Sequence, residues 1–183
     1  MPAIIINLQP ELENDLIKIV PLKESDFERL FTVASDPSIW EQHPTKDRYK
    51  REIFQKYFDG AVESKSAFLV FNKATNELIG STRFYDFKPE HSSIAIGFTF
   101  LARKYWGGDY NRSMKKLLLD YAFTFVNTIL FHIGSTNIRS QKAVLKIGAT
   151  KINEVDFDYY GTKLLHFEYA IGKIPDSKFR IPD

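Results

Sequence analysis

Apolar residues recur along this chain with two periods, and the switches between them mark its elements. Leu16, Ile17, Ile19, Val20 and Leu22 alternate loosely before Lys23, which predicts a first strand over 16–22. Phe27, Leu30, Phe31 and Ala34 then fall at helical spacing behind Ser25 and Glu28, a capping-box pair, and Asp36-Pro37 ends that helix. The stretch 39–49 has no period. Ile53, Phe54, Tyr57, Phe58 and Ala61 predict a second helix over 51–62, with Gly60 near its end. From Ala67 the period drops to two: AFLVFN and ELIGSTRFYDF flank a turn at 73–76, a hairpin in which Gly80 marks a bulge. SIAIGFTFL, over 93–101, is a further strand interrupted by Gly97. Met114, Leu117, Leu118, Tyr121, Ala122, Phe125 and Val126 share one face of a helix over 111–126. TILFHIG at 128–134 is too short for a buried helix and reads as a strand. A helix over 137–147 closes at Gly148, and strands 149–157 and 163–171 flank a turn at Tyr160-Gly161. No pattern marks the tail beyond Lys173.

This order mixes hairpins with helical crossovers. It predicts an α/β fold in one domain, 16–173, between an extension at 1–15 and a tail at 174–183: a mixed, mostly antiparallel sheet with helices on both faces. Strands 93–101 and 128–134, joined through a long helix, are expected to be parallel neighbours, and their junction is the expected site of function. A length of 183 residues fits one such domain, and 44% hydrophobic with 26% charged residues fits a globular one. With no cysteine, disulfide scaffolds, thiolate zinc sites and cysteine nucleophiles are excluded. The opening MPAIIINLQPELEND has no basic residue ahead of its short apolar run, and no apolar stretch reaches membrane-spanning length. The expectation is a cytoplasmic protein with no membrane contact.

Charge changes the picture only locally. Overall it is +2, yet Arg103, Lys104, Arg112, Lys115 and Lys116 against Asp109 give 103–116 a net +4. Arg139, Lys142, Lys146 and Lys151 give 137–151 another +4, which leaves −6 for everything else. Gly107 and Gly108 lie at a strand-to-helix turn, where backbone N–H groups can approach an anion at the positive end of the helix dipole. A phosphorylated ligand satisfies both facts; a tight turn beside solvated helix faces would also account for them. Asn137 is placed to cap a helix at Ser140. Gly97 marks a bulge at which a neighbouring strand could splay. His43, His91, His132 and His166 lie far apart in sequence without metal-ligand spacing, so no metal is expected, and no Walker loop, Rossmann fingerprint or nucleophile elbow is present. The basic segments lack interleaved aromatics for base stacking, so no nucleic-acid partner is expected.

The run IGFTFLARKYWGGDYNR from Ile96 to Arg112, followed by LLLDYAF at 117–123, resembles the acetyl-CoA motif of the GNAT superfamily of N-acetyltransferases. It is most similar to the branch of ribosomal-protein N-terminal acetyltransferases, whose loop reads Tyr-Trp-Gly-x-Gly-Tyr-Ala. NIRSQKAVLKIGA at 137–149 is similar to the family's second motif, N-x-x-S-x-x-A-x-x-K-x-G-A, and the likeness extends from about Leu16 to Ile171. The resemblance implies a sheet splayed at its one parallel pair, with the backbone of Phe98, Thr99, Phe100 and Leu101 holding the pantetheine arm. It places the N–H groups of Gly107, Gly108, Asp109, Tyr110, Asn111 and Arg112 on the pyrophosphate, Arg103 and Trp106 among the cofactor-binding residues, Asn137 on the pantetheine, and Ser140 near the sulfur as proton donor. Two features depart from the family: Asp109 and Asn111 stand where it usually has Gly and then Ala or Gly, and Ala95 stands where many members of the branch carry a Glu.

Acetyl transfer needs a neutral amine, and a lysine amine of pKa about 10.4 needs a base more than an α-amine of about 8. With Ala95 unable to serve, the family layout makes Glu41 and His43 the candidate bases, although a Glu and a His in a polar loop are ordinarily just solvated. Trp40, Glu41, His43, Arg83 and Tyr85 are the candidate acceptor-binding residues. The implied function is transfer of an acetyl group from acetyl-CoA to a primary amine of a small molecule or a protein N-terminus by direct attack, in a monomer or homodimer. The alternative is a non-catalytic acyl-CoA-binding regulatory module on the same fold, motivated by Asp109, Asn111 and Ala95.

Overall fold

The computed structural model describes residues 6–159 and 161–172. The start of the apolar opening run, Tyr160 of the last turn and the tail at 174–183 lie outside the described residues. In chain order the elements are β1 Leu12–Glu13, β2 Ile17–Pro21, α1 Phe27–Ala34, α2 Arg51–Ser64, β3 Ala67–Asn72 and β4 Glu77–Lys88, followed by β5 Ser93–Leu101, α3 Tyr110–Ala122, β6 Thr128–Gly134, α4 Ile138–Lys146, β7 Thr150–Tyr159 and β8 Thr162–Gly172. The strands form one sheet in the order β1-β2-β3-β4-β5-β6-β8-β7, antiparallel throughout except for β5 against β6.

Alternation along the strands sends the core side chains to two faces of the sheet. Ile17, Ile19, Phe68, Val70, Ile79, Phe84, Ile94 and Ile96 meet Met114, Leu118 and Ala122 of α3 and Val144 of α4. The residues between them, Ala67 and Leu69, point the other way and meet Leu30 and Ala34 of α1 and Phe54, Tyr57, Phe58 and Ala61 of α2. Helices therefore cover both faces, as the element order requires.

The 1–15 segment adds a pairing, and two local expectations are revised. Leu12 pairs with Ile19, and Gln9 Nε2 donates to Ala67 O at 2.9 Å, so part of the 1–15 extension is joined to the sheet. Ser25 and Glu28 do not form the capping box. The Asp26 carboxylate accepts from Lys23 N–H at 2.8 Å, while Glu28 turns outward to Arg51 at 2.6 Å. Helix α3 ends at Ala122, four residues early, where the chain tightens into i→i−3 turns, Thr124 N–H donating to Tyr121 O and Phe125 N–H to Ala122 O.

Gly80 does mark a bulge, since the β3–β4 register slips next to it, and its neighbour across β5 explains the glycine: a Cβ there would lie 2.0 Å from Phe100 O. Gly80→Ala is expected to destabilise the protein by about 3 kcal/mol through forced separation of β4 from β5. The check is the urea midpoint at constant m-value.

Candidate active site

Strands β5 and β6 stay paired over three positions only, Ser93 with Thr128, Ile94 with Ile129 and Ala95 with Leu130. Both continue beyond, to Leu101 and Gly134, but apart. The cause lies on the other side of β5. Its register with β4 slips between Ser81 and Arg83, so that Phe98 and Thr99 stand against Thr82 alone, and such a bulge bends the strand carrying the extra residue. The left-handed backbone belongs to Phe98, with φ +51°, and not to Gly97. A non-glycine residue there costs on the order of 1 kcal/mol or more. The surroundings hold it: Tyr57 Oη of α2 donates to Phe98 O at 2.6 Å, and the Arg83 guanidinium lies 4.1 Å from the Phe98 ring centre. Gly97 is a glycine for a different reason, because a Cβ would sit 2.8 Å from Cε1 of Tyr85.

A cleft of about 710 Å³ opens at this fork, lined by residues 96–101 of β5, 131–134 of β6, the 105–109 turn with Asn111 and Arg112, and one side of α4. One end is basic. Arg112, Lys115, Lys142 and Lys146 line it, and the N–H groups of Tyr110, Asn111 and Arg112 at the first turn of α3 have no intrahelical acceptor. Among the described residues, none beyond the chain neighbours comes within 4 Å of where a Cβ would project from Gly107, at φ +74°, or from Gly108, so this backbone is open to a ligand. Asp109 does not oppose an anion at full strength, because its carboxylate is paired with Arg112 at 2.7 Å. Lys115 is buried against the Phe131 ring at 5.0 Å with no carboxylate partner among the described residues, and burial lowers its pKa from 10.5 to about 8. These features suit a polyphosphate with a narrow arm reaching to the fork, which is the shape of an acyl-CoA.

The wall along α4 is tied down from the 39–49 segment. Arg139 N–H donates to Gln42 Oε1 at 3.0 Å, its guanidinium donates to Ile39 O at 3.0 Å and lies 3.8 Å from the Trp106 ring centre, and Trp106 Nε1 donates to Leu101 O at 2.8 Å. Asn137 is the N-cap of α4, accepting from Ser140 N–H at 3.2 Å, and both residues line the cleft.

Of the residues singled out in the sequence, Phe98 to Leu101, Trp106 to Asp109, Asn111, Arg112, Asn137, Ser140, Trp40, His43 and Tyr85 all line this one cleft. Four do not. Arg103 is exposed and paired with Asp36 at 3.2 Å. Tyr110 packs edge-on against Tyr105 and accepts from Asn72, so only its main chain can face a ligand. Glu41 is exposed outside the cleft, whereas its neighbour Gln42 turns in to Arg139. Arg83 is buried, donating to Gly60 O and Tyr57 O at 3.1 Å each, and so anchors α2 to the sheet instead of facing an acceptor.

His43 is inside but poorly suited to take a proton. Thr45 N–H donates to its Nδ1 at 3.0 Å, and the Arg48 guanidinium lies 3.1 Å from its Nε2. With Nδ1 accepting from Thr45, the neutral ring carries its proton on Nε2, and a second proton could go only to Nδ1, at the cost of the Thr45 hydrogen bond. Burial first, then the charges of Arg48 and His166, hold its pKa well below the usual histidine value. Sequence spacing also hid a convergence: His132 and His166 line the same end as His43, with Phe157 against both at 5.2 and 4.8 Å between ring centres.

Comparison with known proteins agrees with this geometry. Residues 17–150 match the family of the acetyltransferase (GNAT) domain, and the chain belongs to that family of acetyltransferases, which uses acetyl-CoA. A GNAT-family acetyltransferase from Bacillus anthracis superposes with a TM-score of 0.73 at 20% identity, covering 89% of this chain and 98% of that one. RimJ from Mycobacterium smegmatis, in complex with CoA-disulfide, gives 0.68 at 16% identity, with 90% and 86% covered. Spermidine N-acetyltransferase from Vibrio cholerae, in complex with CoA and spermine, gives 0.64 at 17% identity, with 87% and 96% covered. A search of the curated proteins found no match. Among the described residues, no helix is long and apolar enough to cross a membrane.

Proposed function

We propose that this acetyltransferase moves an acetyl group from acetyl-CoA to a primary amine of a small molecule or a protein N-terminus, by direct attack of the amine on the thioester. The observation that supports it most is the parallel pair released after Ala95, with a cleft running from the fork to the open N–H groups and cations at the start of α3. In this reading Phe98 to Leu101 supply main-chain contacts to the pantetheine arm, and the turn from Gly107 with Arg112, Lys115, Lys142 and Lys146 holds the phosphates. Asn137 and Ser140 flank the arm on the α4 side, where the Ser140 hydroxyl can give a proton to the departing sulfur. A thiol near pKa 8.5 leaves with little help, so that contribution is modest beside the alignment of the reactants. The setting we propose is the cytoplasm.

Spermine and a short peptide with a free α-amine, incubated with acetyl-CoA, test the reading by thiol release and by the mass of the product. The expected result is amine-dependent release together with a melting temperature raised by several degrees in CoA at a hundredfold excess over its dissociation constant. A raised melting temperature without turnover on any amine would favour the regulatory-module alternative, and no thermal response to CoA would remove both.

A further inference from the structure

We propose that Tyr85, His132 and Glu168 form a proton relay that deprotonates the acceptor amine, an inference that rests on the amine-acetylating reading above. The three side chains come from β4, β6 and β8. Tyr85 Oη lies 2.7 Å from Nδ1 of His132, and Nε2 of His132 lies 2.9 Å from Oε1 of Glu168. A carboxylate can only accept, so Nε2 carries the imidazole proton, Nδ1 turns its lone pair to the phenol, and the phenol donates to it. Glu168 stands directly opposite His132 in the β6–β8 ladder, so sheet register sets the pair.

Position and burial give the relay a direction. The ring of Tyr85 lies so close over Gly97 that a Cβ there would be 3.3 Å from its hydroxyl, which puts the phenol at the fork. Tyr85 and His132 line the cleft, and Glu168 lies behind them. The His132 and Glu168 side chains are each 8% exposed, so water screens the pair little. Among the described residues Oε2 of Glu168 is buried without a protein hydrogen-bond partner, which leaves His132 as the side chain that this carboxylate serves. A full negative charge behind His132 has a use when the ring is transiently an imidazolium.

The surrounding groups leave His132 as the proton acceptor. His166 donates from Nδ1 to Leu164 O at 2.8 Å, and burial lowers its pKa, with the charge of His132 acting in the same direction and that of Asp156 against it. His43 and Arg48 lie beyond His166, with His43 held neutral. Phe157 closes the β7 side with an apolar ring.

The step balances as follows. The acceptor ammonium gives one proton to Tyr85 Oη as the phenol's own proton passes to Nδ1, leaving an imidazolium against the Glu168 carboxylate. The freed nitrogen lone pair forms the C–N bond at the acetyl carbonyl, the C–S bond breaks, and sulfur leaves with the second amine proton. His132 then returns its proton through Tyr85 to solvent.

The test uses the full chain and three variants, Tyr85→Phe, His132→Gln and Glu168→Gln, each first checked for an unchanged CoA-induced melting shift. Long-range imidazole NMR of the wild type is expected to show His132 protonated on Nε2 alone at pH 7.5; a proton on Nδ1 instead would overturn the relay. With an accepted amine, His132→Gln is expected to lower kcat by about 10²- to 10⁴-fold with little change in the acetyl-CoA KM. Glu168→Gln is expected to lower kcat about tenfold or more, again with little change in the acetyl-CoA KM, since an imidazolium at His132 would lose the carboxylate behind it. A merely structural network would leave kcat in place once the CoA-induced melting shift is unchanged. An active wild type whose variants keep the parent rate overturns the relay alone. A wild type that neither responds to CoA nor acetylates any amine overturns the reading beneath it.

Discussion

Lys115→Met is expected to make the protein more stable and, in the same experiment, a weaker binder of acetyl-CoA. Lys115 sits under the basic end of the cleft, 6% exposed, with its ammonium against the Phe131 ring and its pKa brought down from 10.5 to about 8 by burial. That depression of the folded-state value places an upper bound of about 3 kcal/mol on the cost of keeping the charge at neutral pH. The sign follows from proton counting. Between about pH 8 and 10.5 the unfolded chain holds the proton that the folded chain has released, so wild-type stability rises with pH across that window. The gain from methionine is therefore full below about pH 7 and fades towards pH 10.5. A gain of about 2 kcal/mol corresponds to roughly 4 to 8 °C in melting temperature for a chain of this size. Binding should move the opposite way. An anionic phosphate favours the charged lysine, so wild-type affinity for acetyl-CoA should weaken as pH rises through about 8, and the variant should lack that slope while binding about tenfold less tightly at pH 7. Thermal melts and isothermal titration at pH 7 and 9 check both halves. A variant no more stable than its parent, with equal affinity at both pH values, would show that Lys115 is an ordinary packed side chain.

A buried lysine of this kind cannot be recognised from sequence. Position 115 falls between Met114 and the Leu117–Leu118 pair, and helical spacing allows it to be a solvated flank. Only the approach of Phe131 from β6 makes it a cleft residue. The basic end of the cleft, proposed above as the donor side, was easier to anticipate for the opposite reason: it is lined from two continuous segments, 96–112 and 137–149, in which glycines, a cap and clustered charge lie close in the chain. The proposed acceptor side is assembled from residues far apart in sequence. Tyr85, His132 and Glu168 meet through pairings of β4 with β5, β5 with β6 and β6 with β8, and alternation gives the face of each side chain but not its neighbour. Glu41 and Arg83 fail for related reasons. The turn ending at Trp40 sends Gln42, and not Glu41, back to α4, while α2 covers Arg83 although its strand position faces the acceptor side. Gly97 was legible as a break in the strand, but the positive φ at Phe98 was not, because it depends on Tyr57 and Arg83 holding an unfavourable backbone from another element.

Gly108→Val is expected to raise the acetyl-CoA dissociation constant tenfold or more while leaving the melting temperature within about 2 °C of the parent. The separation of the two effects is what gives the experiment its force. Among the described residues, no atom beyond its chain neighbours lies within 4 Å of the position a Cβ would take at Gly108, and its backbone is not in the left-handed region, so a Cβ there meets neither a clash nor strain. Adjacent Gly107 is a poorer probe, because its φ of +74° penalises any L side chain and would mix folding with binding. The space before Gly108 opens onto the N–H groups of the first turn of α3, the only backbone donors of that helix without an internal acceptor. Filling it with two methyl groups should keep a phosphate from those donors, and a tenfold loss, about 1.4 kcal/mol, is a modest expectation for one or two charge-assisted hydrogen bonds. The comparison of Gly108→Val with Lys115→Met also separates contact from charge. The glycine variant should retain the pH dependence above 8 at reduced affinity, whereas the lysine variant should lose it. If Gly108→Val binds acetyl-CoA as tightly as the parent, the phosphates do not rest at the start of α3, and the basic end of the cleft needs another occupant.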